Sequence, residues 1–205
     1  MMAAMANKRL TASQRRAQLI EVGRGVLAQK GYAGTSVEEI ARAAGVSKPI
    51  VYEHFGGKEG LFAVIVDREM DLLVQRVSNS ISQGTPRQRF EAAVLAFLQY
   101  VAERPDGFTI LTRDAPPSAR GSGMHSVIAD LGERIKDIFE DELTRLGWDP
   151  TVSPIYAHAL IGMVTLTGQW WIENPELSID EVARHLAALG WMGLRHLPND
   201  PTPVR

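Results

Sequence analysis

Apolar residues recur at intervals of three and four along nearly the whole chain, and runs of strict alternation are absent, a pattern that predicts an all-α protein. Thr11-Ala12-Ser13-Gln14, Ser36-Val37-Glu38-Glu39 and Thr85-Pro86-Arg87-Gln88 each set a hydroxyl three residues ahead of a Glu or Gln. At that spacing the two side chains satisfy each other's free amides at a helix start. The first predicted helix carries Leu19, Val22, Val26 and Leu27 and stops at Gly31. The second presents Val37, Ile40, Ala41 and Ala44 on one stripe and is short, because Gly45 supplies the left-handed residue a tight exit requires. Ser47 is expected to cap a third helix, with Pro49 in its first turn and an end near His54, ahead of Gly56-Gly57.

A long fourth helix is expected over 58–82, with Leu61, Phe62, Ile65, Met70, Leu73 and Val77 inward, and a fifth from Thr85 to about Arg104. Pro105-Asp106-Gly107 reads as a break before a short sixth helix over 108–112. The stretch 115–123, APPSARGSG, has the composition of a loop. Further helices are expected over 125–146 and 153–174, and a ninth from Ser178 to about Leu197, so the chain has about nine in all. No internal repeat is apparent.

Charge divides the chain more sharply than its total suggests. The formal net charge is −2, yet residues 1–60 hold nine Lys/Arg against five Glu, giving +4, and the rest hold 13 against 19, giving −6. A basic N-terminal module with a polyanionic partner, joined to an acidic body, fits that asymmetry. We place the domains at 1–57, with a flexible arm over 1–10, and 58–205. There are no cysteines, which excludes disulfides, thiolate nucleophiles and Cys-based metal sites. The longest apolar stretch, 157–172, contains His158, Thr165, Thr167 and Gln169 and falls short of the roughly 20 residues that span a bilayer. Residues 1–6 are too short for a secretory apolar region, and Lys8 and Arg9 follow them; the expected location is the cytoplasm.

Two short helices joined by Ala44-Gly45-Val46 have the dimensions of a helix-turn-helix, and equally of a plain helical hairpin. The core-facing set would be Ile40, Ala41, Val46, Val51 and Phe55, leaving Lys48, Pro49, Ile50, Tyr52 and His54 outward. An outward Ile and Tyr on so short a helix suit a DNA groove better than water. An enzyme is poorly supported: the five histidines (54, 125, 158, 185 and 196) show no HExxH pairing, and no glycine loop could cradle a phosphate. No metal and no cofactor are expected.

The string from Gly31 to Ala41, GYAGTSVEEIA, continued by AGVSKPIVYEHFGGKEGLF from Ala44 to Phe62, closely resembles the DNA-binding domain of the tetracycline-repressor (TetR) family over about 50 residues. The resemblance implies a three-helix operator-binding module and a C-terminal bundle that dimerises and binds an inducer. It makes Thr35 and Ser36 phosphate contacts. Lys48, Pro49, Ile50 and Tyr52 become the groove-facing set, with Tyr52 and His54 also near the backbone, Ser47 a further DNA-binding residue and Lys58 a further phosphate contact. Arg15, Arg16 and the Lys8-Arg9 arm could add attraction to the duplex. Ile50 stands where many relatives have Gly or Thr, so base preference does not carry over.

For the body, the resemblance implies a homodimer through the last two helices, with Ala159, Leu166, Ile179, Val182, Leu186 and Leu189 at the interface. Gly162, Gly168, Gly190 and Gly193 would allow close approach there. A hydrophobic or amphipathic inducer would be lined by Phe62, Met70, Phe97, Tyr100, Phe108, Leu111, Phe139, Met163 and Trp170. The expected function is a transcriptional repressor that binds a palindromic operator and is released by that ligand; the alternative is a ligand-independent DNA-binding activator or architectural protein.

Overall fold

A computed structural model of the chain describes residues 10–113, 132, 133, 140, 144 and 149–196. Among them the secondary structure is entirely helical. In chain order the elements are α1 (Ala12–Lys30), α2 (Val37–Ala43), α3 (Lys48–Phe55), α4 (Lys58–Ser80), α5 (Pro86–Glu103), α6 (Pro105–Thr112), a single 3-10 turn (Pro150–Val152), α7 (Ser153–Glu173) and α8 (Ile179–Arg195). The predicted loop over 115–123, the arm before Leu10 and the tail after His196 lie outside the described residues. So does most of the predicted helix over 125–146.

The reciprocal caps form at Thr11/Gln14, Ser36/Glu39 and Thr85/Gln88 as their spacing requires. Three local expectations are corrected. Ser47 precedes α3 without a side-chain cap bond. The fourth helix ends at Ser80 rather than at 82, its last turn closed by the Ser80 hydroxyl donating to the Val77 carbonyl. Pro105-Asp106-Gly107 is the first turn of α6 rather than a break, because proline at the first helical position gives up an amide that had no partner there.

The chain divides into two compact units, 1–65 and 66–205, with the boundary inside α4. In the first, Leu19, Val37, Ala41, Ala44 and Val51 form a buried core, and Val22, Val46, Ile50 and Phe55 pack on it. At Gly23 of α1 a β-carbon would stand 2.8 Å from Leu61 Cδ2 of α4, so these helices touch through a missing side chain.

In the second unit α5 is the central helix, packed most extensively against α8 and also against α6 and α7. Its Val94, Phe97, Leu98, Tyr100 and Val101 meet Met70 and Leu73 of α4, Phe108 and Leu111 of α6, Ile161 and Val164 of α7, and Val182 of α8. Five of the positions expected between copies on the last helices face this core instead. Gly168 and Gly190 face this core, where a β-carbon would stand 3.2 Å from Val101 and 2.6 Å from Phe90, while Gly162 and Gly193 meet nothing within 4 Å. Val182 is buried and Ile179 and Leu186 lean on the same core, whereas Ala159, Leu166 and Leu189 are exposed. An apolar stripe that looked single is thus two stripes, one inward and one outward.

A buried ionic contact joins helices of this unit. The buried Glu69 carboxylate of α4 accepts from Tyr100 Oη (2.9 Å) and Arg104 Nε (2.8 Å), and Arg104 Nη2 completes a two-pronged grip on its other oxygen. Arg104 both ends α5 and precedes α6, so three helices are tied at one carboxylate. Gly107 is required beside it, since a β-carbon there would lie 2.3 Å from Glu69 Oε2. Removing one member of such a pair strands the other. Glu69→Ala is therefore expected to lower unfolding free energy by about 3 kcal/mol in urea titrations. Gly107→Ala should also destabilise, but far less when added to Glu69→Ala, because the atom it strikes is gone. Additive losses in that cycle would show that the clasp does not couple these positions.

Candidate nucleic-acid interface

The α2–α3 pair is set by its turn. Gly45 adopts φ +66°, where side-chain-bearing residues are strained, and the Val46 amide returns to the Ala41 carbonyl at 2.9 Å. Val51 is fully buried and Phe55 half-buried, which turns the opposite side of α3 outward. The far end of α3 is held by α1: Arg16 stacks over the Phe55 ring at 4.4 Å and donates to the His54 carbonyl at 2.5 Å. Gln18 secures the turn by donating to the Ala44 carbonyl at 3.2 Å. Spacing in the sequence signals neither contact, and it offers Arg16 only as a further attraction for DNA.

On the outward side Ser47, Lys48, Pro49 and Tyr52 are exposed together, Tyr52 at 47%. Ile50 and His54, expected with them, are half-buried, Ile50 leaning on the small core. Lys48 forms an ion pair with Glu38 of α2, and its ammonium lies 5.7 Å from the centre of the Tyr52 ring. The hydrogen bond from Lys48 holds the Glu38 carboxyl below its usual range, and Glu38 in turn raises Lys48.

The three residues expected at phosphates are engaged within the fold. Thr35 is buried, its hydroxyl donating to the Gly31 carbonyl at 2.8 Å. Ser36 is half-buried in the reciprocal cap: its Oγ accepts from the Glu39 amide at 3.2 Å, and its own amide donates to Glu39 Oε2 at 2.9 Å. Lys58 donates to the carbonyls of Tyr32 (2.7 Å) and Thr35 (2.8 Å) and sits 4.0 Å over the Tyr32 ring. In this geometry Lys58 closes the α1–α2 loop rather than reaching outward. The bonds from Lys30, at 2.5 Å, and from the Ser36 amide hold the Glu39 carboxyl down at about 2.

Two predictions follow from these contacts. Lys58→Met keeps the stem and removes the ammonium, leaving two carbonyls short of a donor, and should cost about 1–3 kcal/mol of stability in urea unfolding; unchanged stability with weakened DNA binding would instead mark Lys58 as a phosphate contact alone. Glu39 should titrate at about 2 by carbon-detected NMR, against 4.5 when unperturbed. Its stabilising contribution is complete above the unfolded value and is lost as pH falls through the folded one. A midpoint at the ordinary value would show that Lys30 does not hold it.

The comparisons agree with this geometry. Residues 19–65 match the model of the tetR family of bacterial regulatory proteins, and residues 76–203 match that of a tetracyclin repressor-like C-terminal domain. The chain is 28% identical over 193 residues, 93% of its length and 87% of the relative's, to the HTH-type transcriptional activator FasR of Mycolicibacterium smegmatis. It is 23% identical over 134 residues, 65% of its length and 66% of the relative's, to the HTH-type transcriptional repressor KstR2 of Mycobacterium tuberculosis. A TetR-like transcriptional regulator from Rhodococcus sp. RHA1 superposes with a TM-score of 0.75 at 25% identity, covering 92% of this chain and all of the other. These relatives regulate transcription and are not enzymes. The chain belongs to the tetR family of bacterial transcriptional regulators, with an N-terminal helix-turn-helix DNA-binding domain and an all-helical fold.

Proposed function

We propose that the protein binds a palindromic operator as a homodimer and changes its grip on that operator when a small amphipathic ligand enters the C-terminal unit. The observation that carries the dimer is the outward stripe on α7 and α8. Ile155 (65%), Leu166 (55%) and Trp170 (48%) are exposed on one, with Leu189 (65%) and Met192 (54%) on the other. Large apolar side chains so exposed on consecutive helices fit a self-complementary interface. Two α3 helices held about 34–36 Å apart would then read both half-sites of one palindrome. With DNA as the partner, the cytoplasm is the compartment of action; no described helix is long and apolar enough to cross a membrane.

Support for the ligand comes from buried polar atoms rather than from the mainly aromatic set expected to line it. Met70, Phe97, Tyr100, Phe108 and Leu111 are packed as core, Phe97 edge-on to Phe108 at 6.0 Å; Met163 is half-buried and Trp170 exposed. Phe62 packs against Tyr32 in the first unit, and Phe139 lies outside the described residues. The hydroxyls of Ser153 and Thr165 on α7 are buried without a hydrogen-bond partner. Native cores rarely leave such groups unmet, and a ligand with a polar head and an apolar body would meet one. A cavity of about 740 Å³ between α5 and α8 is lined by Arg87, Glu91, Leu95, Gln99, Asp180 and Arg184 among others, and by none of the residues expected at a ligand.

Repression is the sign we favour for a regulator released by its ligand, with KstR2 as a relative that is named a repressor. The name of FasR, a relative over most of the chain, favours activation as the second reading. Selection of genomic fragments by the purified protein, followed by transcription from the recovered promoters with and without it, decides between them. Leu166→Glu and Leu189→Glu should each yield monomers in sedimentation and lose more than about tenfold in affinity for a recovered palindrome, the scale of losing an interface anchor. Wild-type protein that sediments as a monomer yet binds the palindrome as tightly would overturn the dimer.

A further inference from the structure

The cation that leads the recognition helix is already bound inside the protein. Lys48 is the first residue of α3 and its only Lys or Arg, and it is paired with Glu38, the two side chains 47% and 53% exposed. The same economy runs through the described part of the first unit. Lys30 is paired with Glu39 and Arg24 with Glu21; Arg15 donates to Gln18, Arg16 to the His54 carbonyl and Lys58 to two loop carbonyls. Among the described residues Arg42 alone in this unit has no such partner. Charge available to a phosphate is therefore scarcer than the sequence total of +4 over residues 1–60 suggests.

An exposed ion pair is weakly held, so a duplex can draw Lys48 away from Glu38. Doing so uncovers a carboxylate on α2 in reach of the same polyanion. A bare phosphate gives Lys48 one charged contact in exchange for the one it leaves, and it repels the carboxylate uncovered. A guanine edge in the major groove offers two acceptors, O6 and N7, and no net negative charge at the contact. The exchange thus favours a base edge over backbone. Binding to arbitrary sequence, which rests on phosphate contacts, bears the full penalty.

We propose that Glu38 is a specificity-determining residue, an internal competitor for Lys48 that suppresses binding to non-cognate DNA. The proposal rests on α3 being the groove-reading helix. Discrimination here comes from a repulsive element as much as from an attractive one.

The test uses the full-length protein, a random-sequence duplex and a duplex recovered by fragment selection, each titrated over a range of KCl. Glu38→Gln is expected to tighten binding to the random duplex several-fold, to steepen its logarithmic salt dependence by about one unit, and to tighten binding to the selected duplex less, so that the ratio of the two affinities falls. Glu38→Asp, which keeps the charge, should retain most of the discrimination. In a Lys48→Met background Glu38→Gln should have little effect, because the competitor has nothing left to hold. Equal tightening with and without Lys48 would reduce Glu38 to a general repulsive charge and overturn the proposal, as would a Glu38→Gln protein with unchanged affinity for random DNA. If the wild-type protein binds neither duplex with salt dependence, the DNA-binding reading of α3 fails first, and that outcome is separate from either of these.

Discussion

The geometry of the DNA-binding unit turns on the burial of one side chain, Val51. An eight-residue helix has little intrinsic stability, since nucleating it fixes several dihedrals for few hydrogen bonds. What holds α3 is packing, and a fully buried valine contributes about 1.5–3 kcal/mol. Burying Val51 also fixes the rotation of α3 about its own axis, because successive residues advance by a set angle. Lys48, Pro49 and Tyr52 are presented together because Val51 and Phe55 are not. The glycine at 45 makes that burial possible by reversing the chain within three residues.

Around this core, two basic side chains and one amide hold carbonyl groups of the backbone. Arg16 on His54, Gln18 on Ala44 and Lys58 on Tyr32 and Thr35 all bring donors to carbonyls at the ends of helices and turns, where acceptors lack intrahelical partners. Arg16, at the last turn of α3, also faces the negative end of a helix dipole. This explains how a unit with several Lys and Arg can carry modest free charge. It also explains why a lysine whose pattern suggests a phosphate contact is found fastening a loop.

Much of the fold was legible because its signals are local. A Ser or Thr three residues before Glu or Gln needs no tertiary partner to form its cap, so α1, α2 and α5 start where their sequence places them. Gly31 and Gly45 mark helix exits for the same reason. Pro105 is ambiguous in sequence because proline both breaks a helix and begins one, and here it occupies the first position of α6. Contacts that span 23 to 38 residues, such as those of Lys58 and Arg16, leave no trace in spacing. Thr35 looked available for the same reason: nothing local announces that its hydroxyl turns back to Gly31 or that it is buried. On α8 periodicity identified apolar positions but not their destination, so Val182 and Leu189 read as equals although one is core and the other is bare.

That divergence gives α7 its significance. A helix that packs only on its own subunit is apolar along one stripe and polar on the other. α7 buries Ala157, Ile161 and Val164 and still displays Ile155, Leu166 and Trp170. Two apolar faces on one helix call for two surfaces to cover them, and the second copy of the chain supplies the other in the proposed dimer. Pairing also compensates for a half-site held weakly. In the proposed dimer, where the leading lysine of each α3 would first be drawn from its own carboxylate, a single module would gain little from DNA, and useful affinity would depend on two modules closing on one duplex at once. In this scheme the outward stripe on α7 and the ion pair on α3 answer one requirement, that binding be weak for one copy and selective for two.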